Sequence, residues 1–218
     1  MSAVKYWLLF AAVLALAYGS SFALKRGRAG SSASHSAGAA GSPLTKPVPG
    51  KQTNSFSDTE AATGPLPAFT LTDQDGKPFD TASLRGRVWL ASFFFANCPS
   101  ICWRLNGELA AIQQQQPEGK LHLVSITCDP DNDTPPALKK YAERFEADPK
   151  RWTFLTGSMG DIRKVGRDIF KVAVEKETHS SRVFVIDGEG KVRGRFQVTD
   201  PQQLAFLKEL LATLESEK

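Results

Sequence analysis

The chain has 218 residues, of which 41% are hydrophobic and 23% are charged, and its formal net charge is +4. Six of its 27 lysines and arginines, but only two of its 23 acidic residues, precede Pro65, so the rest of the chain carries 21 charges of each sign. The basic excess therefore belongs to the N-terminal part and does not indicate a polyanion site. These numbers predict one domain of ordinary size with appendages and exclude a nucleic-acid-binding role.

The first predicted element is an apolar segment, Tyr6 to Leu24, that contains no charged residue. It is just long enough to cross ~30 Å of hydrocarbon as a helix. We predict residues 1–24 as a single membrane anchor, with a cleaved signal peptide as the alternative, because Ala15-Leu16-Ala17 could follow the core of such a peptide. One lysine precedes the segment and three cations follow closely, so positive charge leaves its orientation ambiguous.

Residues 25–64 form the next predicted segment, which is rich in Gly, Ser, Ala, Pro and Thr. Its large apolar side chains are only Leu44, Val48 and Phe56, too few to bury a core. We therefore predict a disordered, flexible linker, which would span on the order of 35 Å as a random coil. Such a tether would let the domain at 65–218 leave the membrane surface and meet a partner.

The first strong signal inside residues 65–218 is the apolar run Val88 to Ala96, which shows no alternation. A run of this kind predicts a central parallel strand that is covered on both faces. It ends at Asn97-Cys98-Pro99, and the next stretch repeats Ile101, Leu105, Leu109 and Ile112 on one helical face. The thiols of Cys98 and Cys102 are therefore predicted at a strand-to-helix junction.

The remaining elements predict an α/β domain. They are a buried strand over Leu121–Cys128, a helix opened by Thr134-Pro135-Pro136, a helix from about Met159 to Phe170, strands Arg182–Ile186 and Lys191–Gln197 joined by the turn Asp187–Gly190, and a final helix that buries Leu204, Leu207, Leu210, Leu211 and Leu214. This order predicts a thioredoxin-like fold with a central mixed sheet flanked by helices and one extra helical segment. The hairpin glycines do not form a dinucleotide fingerprint, because they do not lie between a strand and a helix.

Cys98 and Cys102 are the first candidates for chemistry. Their spacing of four places both sulfurs on one face of a helix at its exposed end. A helix N-terminus stabilises thiolates, which predicts more nucleophilic sulfurs and better metal ligands than ordinary cysteines. The alternative is a pair of buried core cysteines. As a site, the pair could cycle between dithiol and disulfide or hold a soft metal such as Cu(I) or zinc.

The three histidines differ in their predicted surroundings. His35 lies in the linker and is expected to be solvated, whereas His122 alternates with leucines on a strand and is expected to be structural. His179 lies in the polar loop Glu175 to Ser181, which in a thioredoxin-like fold packs against the cysteine turn. It is the candidate third ligand of a Cys2His set suited to copper, and an exposed loop histidine is the alternative.

Three stretches together resemble the Sco/SenC copper proteins, thioredoxin-like assembly factors of respiratory cytochrome c oxidase. They are PAFTLTDQDGKPFDTASLRGRVWLASFFFANCPSICWRLN, VSITCDPDNDTPPALKKYAERF and THSSRVFVIDGEGKVRGRF. The resemblance covers about Pro65 to Leu214. It is specific, because a Cys-x3-Cys pair, an Asp-Pro-x-x-Asp-Thr-Pro stretch and a His-Ser pair before an apolar strand occur in the family's order.

The resemblance implies a site and a setting for the domain. The family's copper ligands correspond to Cys98, Cys102 and His179, which implies one copper per chain, as Cu(I) or Cu(II). Asp129 corresponds to an acidic position near the metal, and a structural role in the turn is its alternative. The resemblance also implies a single-pass membrane protein with its domain on the periplasmic side. Its implied partners are the copper-acceptor subunit of cytochrome c oxidase and thiol reductant proteins.

Two residues depart from the family pattern. Trp103 stands where members commonly have proline, at the rim of the site. Cys128 stands where many relatives carry an apolar residue. Because it shares a strand face with Val124 and Ile126, we expect it in the core.

Two functions remain open for this site. One is a copper chaperone, a protein without substrate turnover that passes copper to the oxidase's binuclear copper centre. The other is a thiol-disulfide oxidoreductase that acts on the cysteines of that centre or of other extracytoplasmic proteins. The Cys-x3-Cys spacing, with His179 where reductases place a cis-proline, favours copper delivery. A peroxiredoxin-type peroxidase is disfavoured, since Phe95 stands where that chemistry uses threonine.

Overall fold

The computed structural model describes residues 64–99, 101–178 and 181–216. The predicted anchor at 1–24, the linker up to residue 63 and the candidate ligand His179 lie outside these ranges. Within them, no helix combines the length and the apolar character needed to cross a bilayer.

The described residues form a mixed sheet of seven strands. The strands are β1 (Thr70–Asp73), β2 (Pro78–Asp80), β3 (Val88–Phe94), β4 (Leu121–Thr127), β5 (Trp152–Thr156), β6 (Val183–Ile186) and β7 (Val192–Phe196). They lie in the order β2-β1-β5-β4-β3-β6-β7. β3, β4 and β5 run parallel, while β6 is antiparallel to β3 and β1 is antiparallel to β5. The predicted central mixed sheet is confirmed.

Four α-helices connect or follow these strands in the described ranges. They are α1 (Ile101–Gln115), α2 (Pro135–Glu143), α3 (Met159–Lys164) and α4 (Pro201–Ser216). α3 continues as a π-helical turn, Val165–Phe170, which ends at Lys171 in the left-handed conformation with φ of 56°. The helix predicted over 159–170 is therefore present in two segments of different winding.

β3 is buried along its whole length because both of its faces are covered. Leu90 and Phe94 lie in a core cluster that includes residues of α1, α2 and α4. Trp89 and Phe93 point to a second cluster, which includes residues of α3, the π-helical turn and the segment before β3. This two-sided burial is the reason why the strand's sequence lacks alternation.

The predicted order of elements was incomplete at two places. The structure adds the hairpin of β1 and β2 and the parallel strand β5, which lies between β4 and β1. β5 has five buried residues, too few to reveal a period, and its neighbours supply the context that makes it a strand. β1 and β2 are shorter still, and their pairing fixes them rather than their own pattern.

Candidate metal centre

The cysteine turn, Phe95 to Pro99, joins the end of β3 to the start of α1. The Cys98 N–H donates to the carbonyl of Phe95 at 3.2 Å, which closes the turn. The Cys98 side chain is half-buried, whereas Cys102, on the first turn of α1, is only 1% exposed. The structure thus places the pair at the strand-to-helix junction, as the sequence predicts.

The two thiols are in direct contact. The Cys102 sulfur is hydrogen-bonded to the Cys98 side chain and also interacts with the backbone of Phe95. Both residues are present as thiols. Two soft ligand atoms therefore lie side by side, and the pair is accessible to solvent through the half-buried Cys98.

The pKa of Cys102 departs from the sequence prediction. Burial raises the pKa of the Cys102 thiol, and the neighbouring Cys98 raises it further, against a smaller lowering by the Phe95 backbone. Burial therefore opposes, at Cys102, the thiolate stabilisation that the helix N-terminus is predicted to give both thiols. A metal bound to this sulfur would have to displace its proton.

One wall of the site is formed by α2. The Asn106 side-chain amide donates to the hydroxyl of Tyr141 at 3.0 Å, which links α1 to α2 just below the thiol pair. The Tyr141 ring stacks on Phe94 with centroids 5.2 Å apart, and burial raises the pKa of its hydroxyl to about 12. Where Tyr141 faces the thiol pair, this wall is therefore aromatic and carries a neutral hydroxyl.

Asp133 holds the cysteine turn from the side of β4. It is 1% exposed, and its Oδ2 accepts hydrogen bonds from the Ala96 N–H at 3.0 Å and from the Thr127 hydroxyl. Burial raises the pKa of this carboxyl. The sequence does not reveal this role, although Asp133 is the last aspartate of the Asp-Pro-x-x-Asp-Thr-Pro stretch.

Asp129 takes the turn role that was its alternative. Its carbonyl accepts from the N–H groups of Asn132 and Asp133, and its Oδ2 accepts from the Asn132 amide at 2.8 Å. Its other oxygen, Oδ1, is buried without a hydrogen bond and lies 3.9 Å from the ammonium of Lys176. The position of Asp129 near the metal, which the resemblance implies, remains a prediction.

The segment that leads to His179 is tied to the same region. The Glu177 N–H donates to the carbonyl of Cys128 at 3.1 Å, and Lys176 forms an ion pair with Asp131 at 2.7 Å. Glu175 and Thr178 form a small β-bridge. The chain is thus held against the end of β4 up to the residue before His179.

The structure supports two further assignments. Cys128 is fully buried, and its thiol donates to the carbonyl of Phe94 at 3.2 Å, which confirms the core prediction. His122 is also buried, with Nε2 2.9 Å from the hydroxyl of Thr153 and its ring stacked on Phe79, which confirms the structural role. Burial lowers the pKa of His122 to about 4.

The complete ligand set remains a prediction. Among the described residues, no cluster of three or more His, Cys, Asp or Glu side chains has the geometry of a metal site. The predicted third ligand, His179, lies outside those residues.

The family model for SCO1/SenC matches residues 57–214. Among solved structures, a SCO1/SenC family lipoprotein from Bacillus anthracis is 32% identical, with a TM-score of 0.63, over 71% of this chain and 95% of that one. BsSco, a member of the Sco family of cytochrome c oxidase assembly proteins in which a disulfide switch was identified, is 28% identical, with a TM-score of 0.61, over 72% and 95% of the two chains.

A third structure carries the metal. Copper-bound ScoI from Bradyrhizobium japonicum is 26% identical to this chain, with a TM-score of 0.55, over 67% of this chain and 99% of that one. These neighbours confirm the thioredoxin-like fold, and the family model covers well over half of the sequence. The chain therefore belongs to the SCO1/SenC family.

Proposed function

We propose that this protein is a copper chaperone that binds one copper through Cys98, Cys102 and His179 and delivers it to the binuclear copper centre of cytochrome c oxidase. The observation that carries the proposal is the contact between the two thiols at the strand-to-helix junction. Two adjacent sulfurs suit a soft cation. The half-buried Cys98 gives an acceptor a sulfur to approach.

The anchoring of the Val174–Thr178 segment supports His179 as the third ligand. This segment is bound to the end of β4 through Cys128 and Asp131, and Cys128 is itself hydrogen-bonded to Phe94, four residues before Cys98. His179 directly follows this segment, and we infer that it completes the site from this side. Imidazole with two thiolates is a donor set that binds copper.

The relatives support the cargo and the acceptor. ScoI of Bradyrhizobium japonicum was solved with copper bound, and BsSco belongs to a family of cytochrome c oxidase assembly proteins. We infer the same cargo for this chain and, as acceptor, the oxidase subunit that holds the binuclear copper centre. Thiol reductant proteins would keep the pair reduced between cycles.

We further propose that residues 6–24 anchor the protein in the membrane and that residues 25–64 tether the domain on its periplasmic side. The uncharged apolar segment and the linker composition support this arrangement. A membrane attachment also fits the related Bacillus anthracis protein, which is a lipoprotein.

The thiol contact also favours a second candidate function, reduction of a disulfide in the acceptor. The Cys98 thiolate would attack one acceptor sulfur, form a mixed disulfide and release the other acceptor sulfur as a thiol. The Cys102 thiolate would then attack the Cys98 sulfur, break its bond to the acceptor and release the second acceptor thiol. The products are a Cys98–Cys102 disulfide and two acceptor thiols. The adjacent sulfurs make that bond accessible with little movement, and the raised pKa of Cys102 slows its part of the reaction.

The experiment that tests delivery is oxidase assembly in a host that lacks its own copy of the protein. Full-length chains with Cys98→Ser, Cys102→Ser or His179→Ala should fail to restore oxidase activity, whereas Lys120→Glu, an exposed change before β4, should restore it. Copper content of the acceptor subunit separates the candidates. In the host with a variant chain, an acceptor that lacks copper but has reduced cysteines shows that delivery was lost, which supports the chaperone function. An acceptor with oxidised cysteines shows that reduction was lost, which supports the reductase function.

A further inference from the structure

We propose that Trp103 and a cationic pocket beside the cysteine turn form one docking surface for an acidic, metal-exchanging protein partner. The inference rests on the proposed copper delivery and deepens it, because it names the surface through which this chain recognises its acceptor. The surface has two parts, one on α1 and one between the cysteine turn and α2, and Cys98 directly follows Asn97 of the second part.

The first part is the indole of Trp103. Its side chain is 64% exposed, and it is the large hydrophobic residue that the described ranges leave open to solvent. It directly follows Cys102 on the first turn of α1. Trp103 belongs to neither core cluster of the described residues, and tryptophan is among the residue types most enriched at interface hot spots.

The second part is a shallow pocket of about 140 Å³ between the cysteine turn and α2. Ala96 and Asn97 of the turn line one side, and Lys140 and Arg144 line the other. Both cations are exposed, and the Arg144 guanidinium lies 5.9 Å above the Tyr141 ring. Asp133 also lines the pocket, but its Oδ2 is engaged by the Ala96 N–H and the Thr127 hydroxyl.

The two parts lie toward the same side of the molecule. Asn106 and Gln113 are the α1 residues that bond to α2 and to the chain after it, so they mark the α1 side that faces α2. Trp103 precedes Asn106 by three residues and therefore lies next to it on α1, at the exposed edge of that side and nearer the cysteine turn. The pocket opens on that turn from α2, so a partner that reaches Cys98 covers both.

Charge decides which partner fits. Because Pro65 to Lys218 is balanced in charge, the pair Lys140 and Arg144 is a local feature and not part of a general positive field. An exposed guanidinium and ammonium at the mouth of a small pocket are complementary to a carboxylate. The partner is thus a protein that presents an acidic side chain close to its own soft metal ligands.

The test measures docking separately from copper binding. The probe is the soluble domain of the oxidase subunit that holds the binuclear copper centre, and its dissociation constant for the full-length chain in detergent is measured without copper. Trp103→Ala should weaken the complex about tenfold or more, and Trp103→Phe should recover part of the loss. Lys140→Glu with Arg144→Glu should weaken it about tenfold at low salt, with a smaller effect at 0.5 M salt.

The control is Lys120→Glu, an equal charge reversal just before β4, which should leave the dissociation constant within about twofold of the original. Copper affinity is measured on the same variants and should stay unchanged. Wild-type affinity in the Trp103 and Lys140/Arg144 variants, or no complex with the original chain, would overturn the docking surface. A chain that forms the complex but binds no copper would instead refute the proposed function and leave the docking surface supported.

Discussion

At the scale of single residues, Cys128 is a thiol close to a predicted metal site that acts as a small core residue. It lies in the cluster with Val124 and Phe93, and its sulfur donates to the Phe94 carbonyl. Burial raises the pKa of the thiol to about 12. A neutral thiol with an internal hydrogen bond is a poor nucleophile and a poor competitor for metal.

We therefore predict that Cys128→Val lowers the free energy of unfolding by at most about 1.5 kcal/mol, because it keeps most of the buried volume. Copper stoichiometry and affinity should not change. Denaturant unfolding and metal analysis of the purified variant check both quantities. Loss of copper affinity in Cys128→Val would contradict the core assignment.

Mild oxidation gives an independent measurement on the same thiol. It should yield the Cys98–Cys102 disulfide alone, because those two side chains are already in contact. Cys128, with no exposed surface, should resist alkylation until the protein is unfolded. Peptide mapping that finds a substantial share of bonds involving Cys128 would count against this geometry.

His122 makes the stability of the fold depend on pH. Its pKa falls from about 6.5 in the unfolded chain to about 4 in the folded protein, mainly because burial disfavours the imidazolium. Below pH 6.5 the unfolded state therefore binds a proton that the folded state excludes. The contribution of His122 to the free energy of unfolding is intact above pH 6.5 and decreases as the pH falls to about 4, by on the order of 3 kcal/mol.

The measurement is the difference between the original chain and His122→Gln in denaturant unfolding at a series of pH values. Glutamine can still bond to the Thr153 hydroxyl but does not titrate, so the variant should lose stability less steeply between pH 6.5 and 4. Parallel curves for the two proteins would show that His122 carries no such linkage.

At the scale of elements, the cysteine turn is held by the loop that follows β4. Asp133→Ala should leave the Ala96 N–H and the Thr127 hydroxyl without their acceptor, at a cost of about 1.5 to 3 kcal/mol. Amide exchange at Ala96 should accelerate beyond what the global loss of stability explains. Asp133→Asn, which keeps a carbonyl acceptor, should restore part of both.

Asp131→Ala is the matched control in the same loop. Asp131 is exposed and bonds to Lys176 at the surface, so its loss should cost less than about 1 kcal/mol and leave exchange at Ala96 unchanged. If both aspartate variants behaved alike, the specific role of Asp133 in the cysteine turn would be refuted.

The elements that the sequence predicted are those whose own residues specify them. An apolar run without alternation predicts β3, and apolar residues at helical spacing predict α1. The position of the cysteine pair between them followed from these two patterns. β5 could not be predicted in this way, because a strand of five residues is fixed by its pairing with β4 and β1 beside it. The winding change after α3 likewise has no signal in residues 159–170.

The surroundings of the cysteine pair could not be predicted either, because they depend on residues that are distant in the sequence. The spacing of Cys98 and Cys102 gives their position on the helix, but burial depends on what packs against that helix. Tyr141 comes from α2, 39 positions after Cys102, and shares a core cluster with it. Burial of Cys102 raises the pKa of its thiol and so disfavours the thiolate that the helix terminus alone would favour. Asp133 was within a motif already noted, and its function became visible only through its bond to Ala96.

At the scale of the whole molecule, we predict that the position of the domain at the membrane is part of its function. Deletion of Tyr6 to Leu24 should give a folded protein that binds copper in vitro but does not support oxidase assembly in a host lacking its own copy. Replacement of that segment by an unrelated membrane anchor of the same orientation should restore assembly. Full complementation by the form without an anchor would contradict the prediction.

The proposed copper site is tested by metal analysis of residues 65–218, purified in reduced form and loaded with copper without oxygen. We expect one copper per chain, loss of tight binding in Cys98→Ser and in Cys102→Ser, and weaker binding with an altered Cu(II) absorption in His179→Ala, because the soft sulfurs dominate Cu(I) affinity. Unchanged stoichiometry and affinity in all three variants would contradict it.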